Sequence, residues 1–364
     1  LCIEGFLPTI ATIINQKDED IQPTLWGKIT RRFNLEELYD QINKSNTLKD
    51  YSSLFQWDLL YVYDHEEFNL NEYVEQYSDD IDWELLSKSK SAERLFYYDK
   101  GILSFKLWLE MVKSLLYNDE YCWDFITLSQ NESINWHPAI LKIRRSQWDW
   151  QYLSQFSRCF ASHPKDENNI IKNIQQFKDN IDFNLLSKRE DVKFSDLLLN
   201  TFLEEDWNWK SISASKKLNI SNSFLIDNQD KDWDWDILSQ GGTIAIDKEL
   251  LEHTKNRPWN WTLLSSNNSL KMTIAELLSL GISGWDWETL SGRMDILFDN
   301  DSILSTVDKS YISWDWNLLS SRSDLQYTED FVLKIYSKSL DWYAVSRMNS
   351  FCPTINVLSK LSSF

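Results

Sequence analysis

Glycine, proline and cysteine are scarce in this sequence of 364 residues, which contains 8 Gly, 6 Pro and 4 Cys. So few glycines and prolines disfavour Gly-rich phosphate-binding loops and the turn-dense sheets of β-sandwiches, and favour short helices joined by polar links. The four cysteines lie far apart in the sequence and have no paired spacing, which is typical of thiols in a reducing compartment.

The sequence also lacks a signal peptide and any apolar run of membrane-spanning length. We therefore predict a soluble, cytoplasmic protein that does not enter a membrane. Lys and Arg number 37 against 56 Asp and Glu, which gives a formal net charge of −19. Because the negative charge is spread along the chain, it disfavours nucleic acid as a partner and, for a charged protein partner, favours a basic one.

Tryptophan is abundant, and 16 of the 19 tryptophans fall in one recurring seven-residue pattern. An aromatic or aliphatic residue, Asp or Asn, and an aromatic residue are followed by two free positions, an aliphatic residue and Ser, as in "WDWDILS". Copies begin at Phe55, Ile81, Trp123, Trp148, Ile181, Trp207, Trp233, Trp259, Trp285, Trp314 and Leu340. Six of the ten intervals are 26 residues long, and such a constant period predicts a stack of repeats.

The second position of the pattern predicts a helix start, because Asp and Asn side chains accept hydrogen bonds from the free amides of a first helical turn. The predicted caps are Asp82, Asp124, Asp149, Asp182, Asn208, Asp234, Asn260, Asp286, Asp315 and Asp341. The apolar residues around each cap, such as Trp233 and Leu238, have the spacing of a hydrophobic staple. We therefore assign the Trp pairs to core packing.

A second helix start lies eight residues after the Ser of the pattern. These predicted caps are His137 (followed by Pro138), Ser195, Ser221, Asp247, Thr273, Asp299, Thr328 and Thr354. Each repeat thus has two short helices, one of them a single α or 3₁₀ turn, that must pack on neighbouring repeats to be stable. We predict an all-α fold, an α-solenoid of about eleven two-helix repeats of 26 residues.

Two longer intervals indicate insertions near residues 88–105 and 158–169 of the solenoid, which we place at 55–364. Residues 1–54 carry no clear copy, and we interpret them as a degenerate terminal repeat, a cap or a junction. Insertions in solenoids often form the binding face. The candidate partner contacts are Lys90, Arg94, Tyr97, Arg158 and His163.

The WDWxxLS wording, with a second helix and a period in the mid-twenties, resembles the Trp-rich short-repeat arrays of giant-virus and bacterial proteins. In its layout it is also similar to leucine-rich-variant repeats. The resemblance covers roughly residues 55–364. It implies a helical repeat fold and no particular chemistry, cofactor or ligand.

We find no catalytic constellation, metal site or cofactor motif in the sequence. The four histidines are scattered, and "DKDWDWD" departs from a calcium loop because Trp235 stands where a glycine is needed. The recurring Ser has no His that accompanies it, so we predict that its hydroxyl bonds local backbone.

We therefore predict a non-enzymatic recognition or scaffold module that binds a protein or peptide. The alternative is a nucleic-acid-contacting or sensing arm of a multidomain bacterial or viral machine. The chain begins at Leu1 rather than Met, from which we expect a segment of a longer protein. In the sensing alternative, the catalytic part of an NTPase or nuclease precedes Leu1.

Overall fold

The computed structural model describes residues 83–88, 92–98, 104–164 and 166–362, and the regular elements of these residues are almost all helices. They divide into two compact units, of which the first ends at Asp182 and the second begins at Phe183. The predicted terminal region 1–54, the copy of the pattern at Phe55 and the predicted cap Asp82 lie outside the described residues.

The described part of the first unit contains helices of very unequal length. They are α1 (Trp83–Lys88), α2 (Ala92–Phe96), α3 (Phe105–Tyr117), α4 (Phe125–Ser129), α5 (Pro138–Leu141), α6 (Trp150–Phe156) and α7 (Glu167–Phe177), with 3₁₀ turns at Arg145–Gln147 and Arg158–Phe160. Helix α4 packs between α1 and α6, and α5 packs on α3. Helices α3 and α7 have 13 and 11 residues, and both belong to the two repeats that carry insertions.

The second unit is more regular. It contains α8 (Phe183–Leu186), β1 (Phe194–Ser195), α9 (Asp196–Thr201), α10 (Trp209–Ser213), β2 (Leu218–Asn219), α11 (Asn222–Asp227), α12 (Trp235–Gln240), α13 (Lys248–Thr254), α14 (Trp261–Ser266), α15 (Ile274–Ser279), α16 (Trp287–Gly292), α17 (Asn300–Leu304), α18 (Trp316–Ser320), α19 (Glu329–Ile335), α20 (Trp342–Ser346) and α21 (Ile355–Leu361). The first helices of successive repeats, α10 to α20, pack side by side, and so do second helices such as α17, α19 and α21.

This stacking of helix pairs confirms the predicted all-α solenoid class. The sequence left open whether one of the two helices of a repeat is an α or a 3₁₀ turn. In the second unit both are short α-helices. Neighbouring repeats are also joined by short parallel backbone bridges, which the sequence did not predict. Phe194 pairs with Leu218 and Ser195 with Asn219, and Ile246 forms a similar bridge with Leu270.

The Asp or Asn of the pattern lies at the start of the first helix. Its side-chain oxygen accepts a hydrogen bond of 2.9–3.1 Å from the backbone N–H three residues ahead in eight repeats: Asp124, Asp149, Asn208, Asp234, Asn260, Asp286, Asp315 and Asp341. Asp182 immediately precedes α8. Each such bond satisfies one amide that a helix start leaves without a partner.

The second helices begin with the same chemistry. Ser195, Ser221, Asp247, Thr273, Asp299 and Thr328 accept a hydrogen bond from the N–H three residues ahead, and His137 accepts from Ala139 N–H. Thr354 is an exception: it precedes α21, but its hydroxyl donates to the Glu329 carboxylate at 2.6 Å and makes no cap bond. The Thr354 side chain therefore links two repeats.

The tryptophans form the contact between repeats. The second Trp of one repeat contacts the first Trp of the next, with ring centroids 4.7–5.0 Å apart. The rings meet edge to face in the pairs Trp235–Trp259, Trp261–Trp285 and Trp287–Trp314, and they are tilted at 59° in Trp209–Trp233. Edge-to-face contact is the favoured geometry for such rings. At about 25 cal/mol per Å² of apolar area, a buried ring of roughly 200 Å² stabilises its interface by several kcal/mol.

The Ser of the pattern connects each first helix to the next repeat. Its hydroxyl donates to a carbonyl of its own helix, usually the one four residues earlier, as Ser239 does to Trp235 at 2.6 Å. This is the predicted local bond. The same oxygen accepts the backbone N–H of the next cap residue at 2.9–3.1 Å, an interaction that the sequence did not reveal. These pairs are Ser129–Asp149, Ser154–Asp182, Ser187–Asn208, Ser213–Asp234, Ser239–Asn260, Ser265–Asp286, Ser291–Asp315 and Ser320–Asp341.

A second polar link starts two residues after the Ser. The Asn131 and Asn267 amides donate to the carbonyls of Ser87 and Ser239 in the preceding repeat, and the Arg293 guanidinium donates to Ser265 O. Arg322, two residues after Ser320, donates to the carbonyls of Arg293 and Ile296 in the preceding repeat. It is the most buried of these side chains, with 1% of its surface exposed. Buried polar groups are tolerated when they are paired, and here the pairing also fixes one repeat on the next.

Candidate functional site

A cleft of about 740 Å³ lies in the first unit, and three successive repeats contribute to it. Its lining residues come from the stretches 93–98, 135–142 and 158–176. The first and third stretches overlap the two predicted insertions, and they also carry helical structure: α2 in the first and a 3₁₀ turn with the start of α7 in the third. The insertions are therefore partly folded rather than plain loops.

Three of the five predicted partner contacts line this one cleft: Tyr97, Arg158 and His163. Tyr97 is 62% exposed, so its ring is accessible to a partner. Lys90 and the side chain of Arg94 lie outside the part of the chain that the structure describes. The structure thus brings together residues that the sequence separates by more than one repeat.

The charge of the cleft differs from that of the whole chain. Lys142, Arg158 and Lys172 line it with exposed side chains, whereas Glu93 is its single acidic lining residue within the described ranges. In these ranges no carboxylate lies within 4.0 Å of the three cationic groups. The cleft is thus a locally cationic region in a chain whose formal net charge is −19.

His137 adds a hydrogen-bonding group to the cleft rather than a charge. Its Nδ1 accepts from Ala139 N–H at 3.1 Å, and its ring packs on Phe105 and Trp108 at 5.1 and 5.6 Å. Burial lowers the pKa of the imidazole below its ordinary value. An accepting Nδ1 and a lowered pKa together assign a neutral ring with its proton on Nε2.

Buried aromatic rings give the cleft a rigid backing. Trp136 is 3% exposed and packs against Phe96 and Trp148, with ring centroids 5.4 and 4.9 Å away. Tyr98 packs on Trp108 at 5.1 Å. Such well-packed rings lose little additional freedom when a partner binds, which favours affinity.

The position of Arg158 depends on a buried amide. Asn173 in α7 is 7% exposed, and its Nδ2 donates to the Cys159 carbonyl at 2.8 Å. This bond holds the 3₁₀ turn that carries Arg158 against α7.

The sequence prediction missed Lys142, Lys172 and Asn173 as cleft residues. Helical spacing could have found two of them. Asn169, Lys172, Asn173 and Gln176 share one face of α7, while Ile170, Ile174 and Phe177 are buried. Lys142 lies in the short basic run at 142–145, whose role only the neighbouring repeats determine.

A second cavity of about 580 Å³ lies in the second unit, near Trp342 and Phe351. Among the described residues that line it, Lys338 alone is charged, and it donates to the Val307 carbonyl at 3.2 Å. This cavity therefore offers fewer uncommitted polar groups than the cleft in the first unit.

In the described ranges, no group of three or more His, Cys, Asp or Glu side chains is arranged to hold a metal ion. Among the helices described, none has the length and apolar character needed to cross a membrane. Comparisons with protein-family models, curated proteins and solved structures found no significant match to this chain.

Proposed function

We propose that this chain is a non-enzymatic recognition module, related to the Trp-rich short-repeat arrays, that binds a protein or peptide partner in the cytoplasm. The observation that carries the proposal is the convergence of Tyr97, Arg158 and His163 on one cleft. Two separate departures from the 26-residue period contribute to that cleft.

The repeats themselves support a binding role for the insertions. In a regular repeat the Trp pair packs between repeats, the Asp or Asn caps a helix and the Ser joins two repeats. These residues are occupied by the fold and have little capacity left for a ligand. The cleft residues Tyr97, Lys142 and Lys172, by contrast, are exposed. Extra segments on a solenoid are a common origin of binding faces.

Selection of random peptides displayed on phage, with the full chain as bait, tests this proposal. We expect peptides that bind the wild type and lose binding to the Tyr97→Ala variant. Tyr311→Ala is the matched control, because Tyr311 in the second unit is 54% exposed against 62% for Tyr97. If no enriched peptide distinguishes Tyr97→Ala from Tyr311→Ala, the cleft is not the recognition site.

A second candidate function is contact with nucleic acid. Lys142, Arg158 and Lys172 together with the exposed Tyr97 combine cations with an aromatic ring, as single-strand binding grooves do. A mobility-shift assay at low salt tests it. Absence of a shift at micromolar protein would remove this candidate.

A further inference from the structure

We infer that the cleft binds an acidic peptide segment, whose carboxylates meet Lys142, Arg158 and Lys172. The inference rests on the proposed function and adds the chemistry of the partner. It reverses, for this cleft alone, the basic partner that the net charge of the chain favours.

The first argument is the lack of internal partners for these three cations. Elsewhere in the acidic chain, many cations are neutralised within the protein: Arg144 pairs with Asp119, Lys210 with Asp232, Arg257 with Asp230 and Arg293 with Asp295. The cations of the cleft have no such partner in the described ranges. A carboxylate bound in the cleft would therefore add an attraction that no group of the described chain supplies to these cations.

The second argument is the presence of groups that suit a peptide. Asn135, Asn169 and Gln176 also line the cleft, and a carboxamide can both donate to a peptide carbonyl and accept from a peptide N–H. The exposed ring of Tyr97 provides area for an apolar side chain. A segment with carboxylates beside an apolar residue matches this combination of groups.

The third argument concerns the surroundings of the cleft. A smaller cavity of about 210 Å³ shares Trp136 and Arg158 with it and is lined by Glu132. The exposed Asp166 lies just beyond the 158–164 stretch. A nucleic-acid strand carries charge along its whole length and would be repelled by these carboxylates, whereas a peptide can confine its acidic residues to the cleft.

Fluorescence polarisation with three labelled probes tests the inference. The probes are a Glu-rich peptide with a central Leu, the same peptide with Lys in place of Glu, and an oligodeoxythymidine. We expect the Glu peptide to bind best, and its affinity to fall with added salt. The triple variant Lys142→Glu, Arg158→Glu, Lys172→Glu should bind it at least about tenfold more weakly, because three attractive charges become repulsive.

The matched control is the triple variant Lys216→Glu, Lys217→Glu, Lys255→Glu. It changes the charge of the chain by the same amount, at three exposed cations of the second unit. We expect it to bind the Glu peptide within a factor of about two of the wild type, since screened charges outside the site contribute little. Circular dichroism checks that both variants are folded.

Several results would overturn the inference. These are equal or tighter binding of the Lys peptide, tighter binding of the oligodeoxythymidine, no binding of the Glu peptide, or an equal loss in both triple variants. The phage selection separates this failure from that of the proposed function. Enriched peptides that depend on Tyr97 but contain no acidic residues would sustain the proposed function and contradict the acidic partner.

Discussion

At the scale of single residues, most polar side chains of the pattern have one structural task, and the Ser has two. Its hydroxyl donates within its own helix and accepts from the next repeat. Ser is usually an exposed residue, but this Ser is buried. Its burial is tolerated because both hydrogen bonds of the hydroxyl are made within the protein.

Replacing Ser265 with Ala should destabilise the second unit. Ser265 Oγ donates to Trp261 O at 2.8 Å and accepts from Asp286 N–H at 2.9 Å, so the variant leaves a partly buried amide without its acceptor. The expected loss is about 1–3 kcal/mol in the free energy of unfolding, measured in urea. Ser266→Ala is the control, because the neighbouring hydroxyl is exposed and bonds only Leu263 O in its own helix. Equal losses in the two variants would contradict a stabilising role of the hydrogen bond between Ser265 and Asp286.

The ion pair between the buried Arg322 and the partly buried Asp324 should make stability sensitive to acid. Burial alone raises the pKa of Asp324, but the hydrogen bond and charge of Arg322 and the Phe298 N–H outweigh it, so the pKa lies below the ordinary 3.8. A lowered pKa in the folded state stabilises the protein above pH 3.8, and this contribution is lost as the pH falls through the folded value.

Asp324→Asn should therefore cost about 3 kcal/mol or more at neutral pH, because the variant leaves the buried Arg322 charge uncompensated. The difference from the wild type should shrink as the pH is lowered below 3.8. Urea unfolding at a series of pH values measures both effects. Asp308→Asn, at an exposed carboxylate of the same unit, is the control and should run parallel to the wild type.

At the scale of helices and their contacts, the sequence predicted the elements better than the contacts between them. The caps Asp234 and Asp247 and the staple around Trp233 follow from spacing along the chain. Three contacts depend instead on the offset between neighbouring repeats. They are the hydrogen bond that Ser239 accepts, the hydrogen bond from Arg322 to the Ile296 carbonyl, and the bridge between Ile246 and Leu270. A single sequence does not state that offset.

Only part of the cleft could be predicted, because spacing along the chain is visible in the sequence and contacts between repeats are not. Departures from the period located the stretches that contain Tyr97, Arg158 and His163. Lys142 was missed, because its position depends on the single turn of α5, which packs on the longer α3. Lys172 was missed although helical spacing along α7 places it on the same face as Asn169 and Gln176. Helix length beyond the caps is poorly encoded in the repeat pattern.

The contact between α14 and the following repeat should tolerate no added atom at Gly284. A Cβ at this position would lie 2.6 Å from Trp261 Cδ1, and the ring is held by Trp285 at 5.0 Å. Gly284→Ala should destabilise the second unit by about 1–3 kcal/mol through overpacking. Gly292→Ala is the control, because its Cβ would meet only the flexible end of Leu318 at 3.2 Å. Thermal unfolding of both variants decides whether the ring can move aside.

At the scale of the whole molecule, stability should be local within each unit, since each repeat is bonded mainly to its neighbours. Ser265→Ala should therefore accelerate hydrogen exchange most at Asp286 and Leu290, beside the lost bond. Amides of Leu198 and Leu199, several repeats away in the same unit, should change less. Exchange followed by mass spectrometry measures this gradient. A uniform acceleration across the second unit would show global rather than local cooperativity.

The joint between Ser and the next cap amide is made across chain separations of 20, 21, 24 and 28 residues, at Ser129, Ser187, Ser291 and Ser154. The geometry is the same each time, while the polypeptide between the two ends varies. New segments can therefore be inserted between these hydrogen bonds without changing the packing of the repeats. Such a fold can evolve by lengthening the connections between repeats, and each inserted segment can supply a new ligand-binding surface.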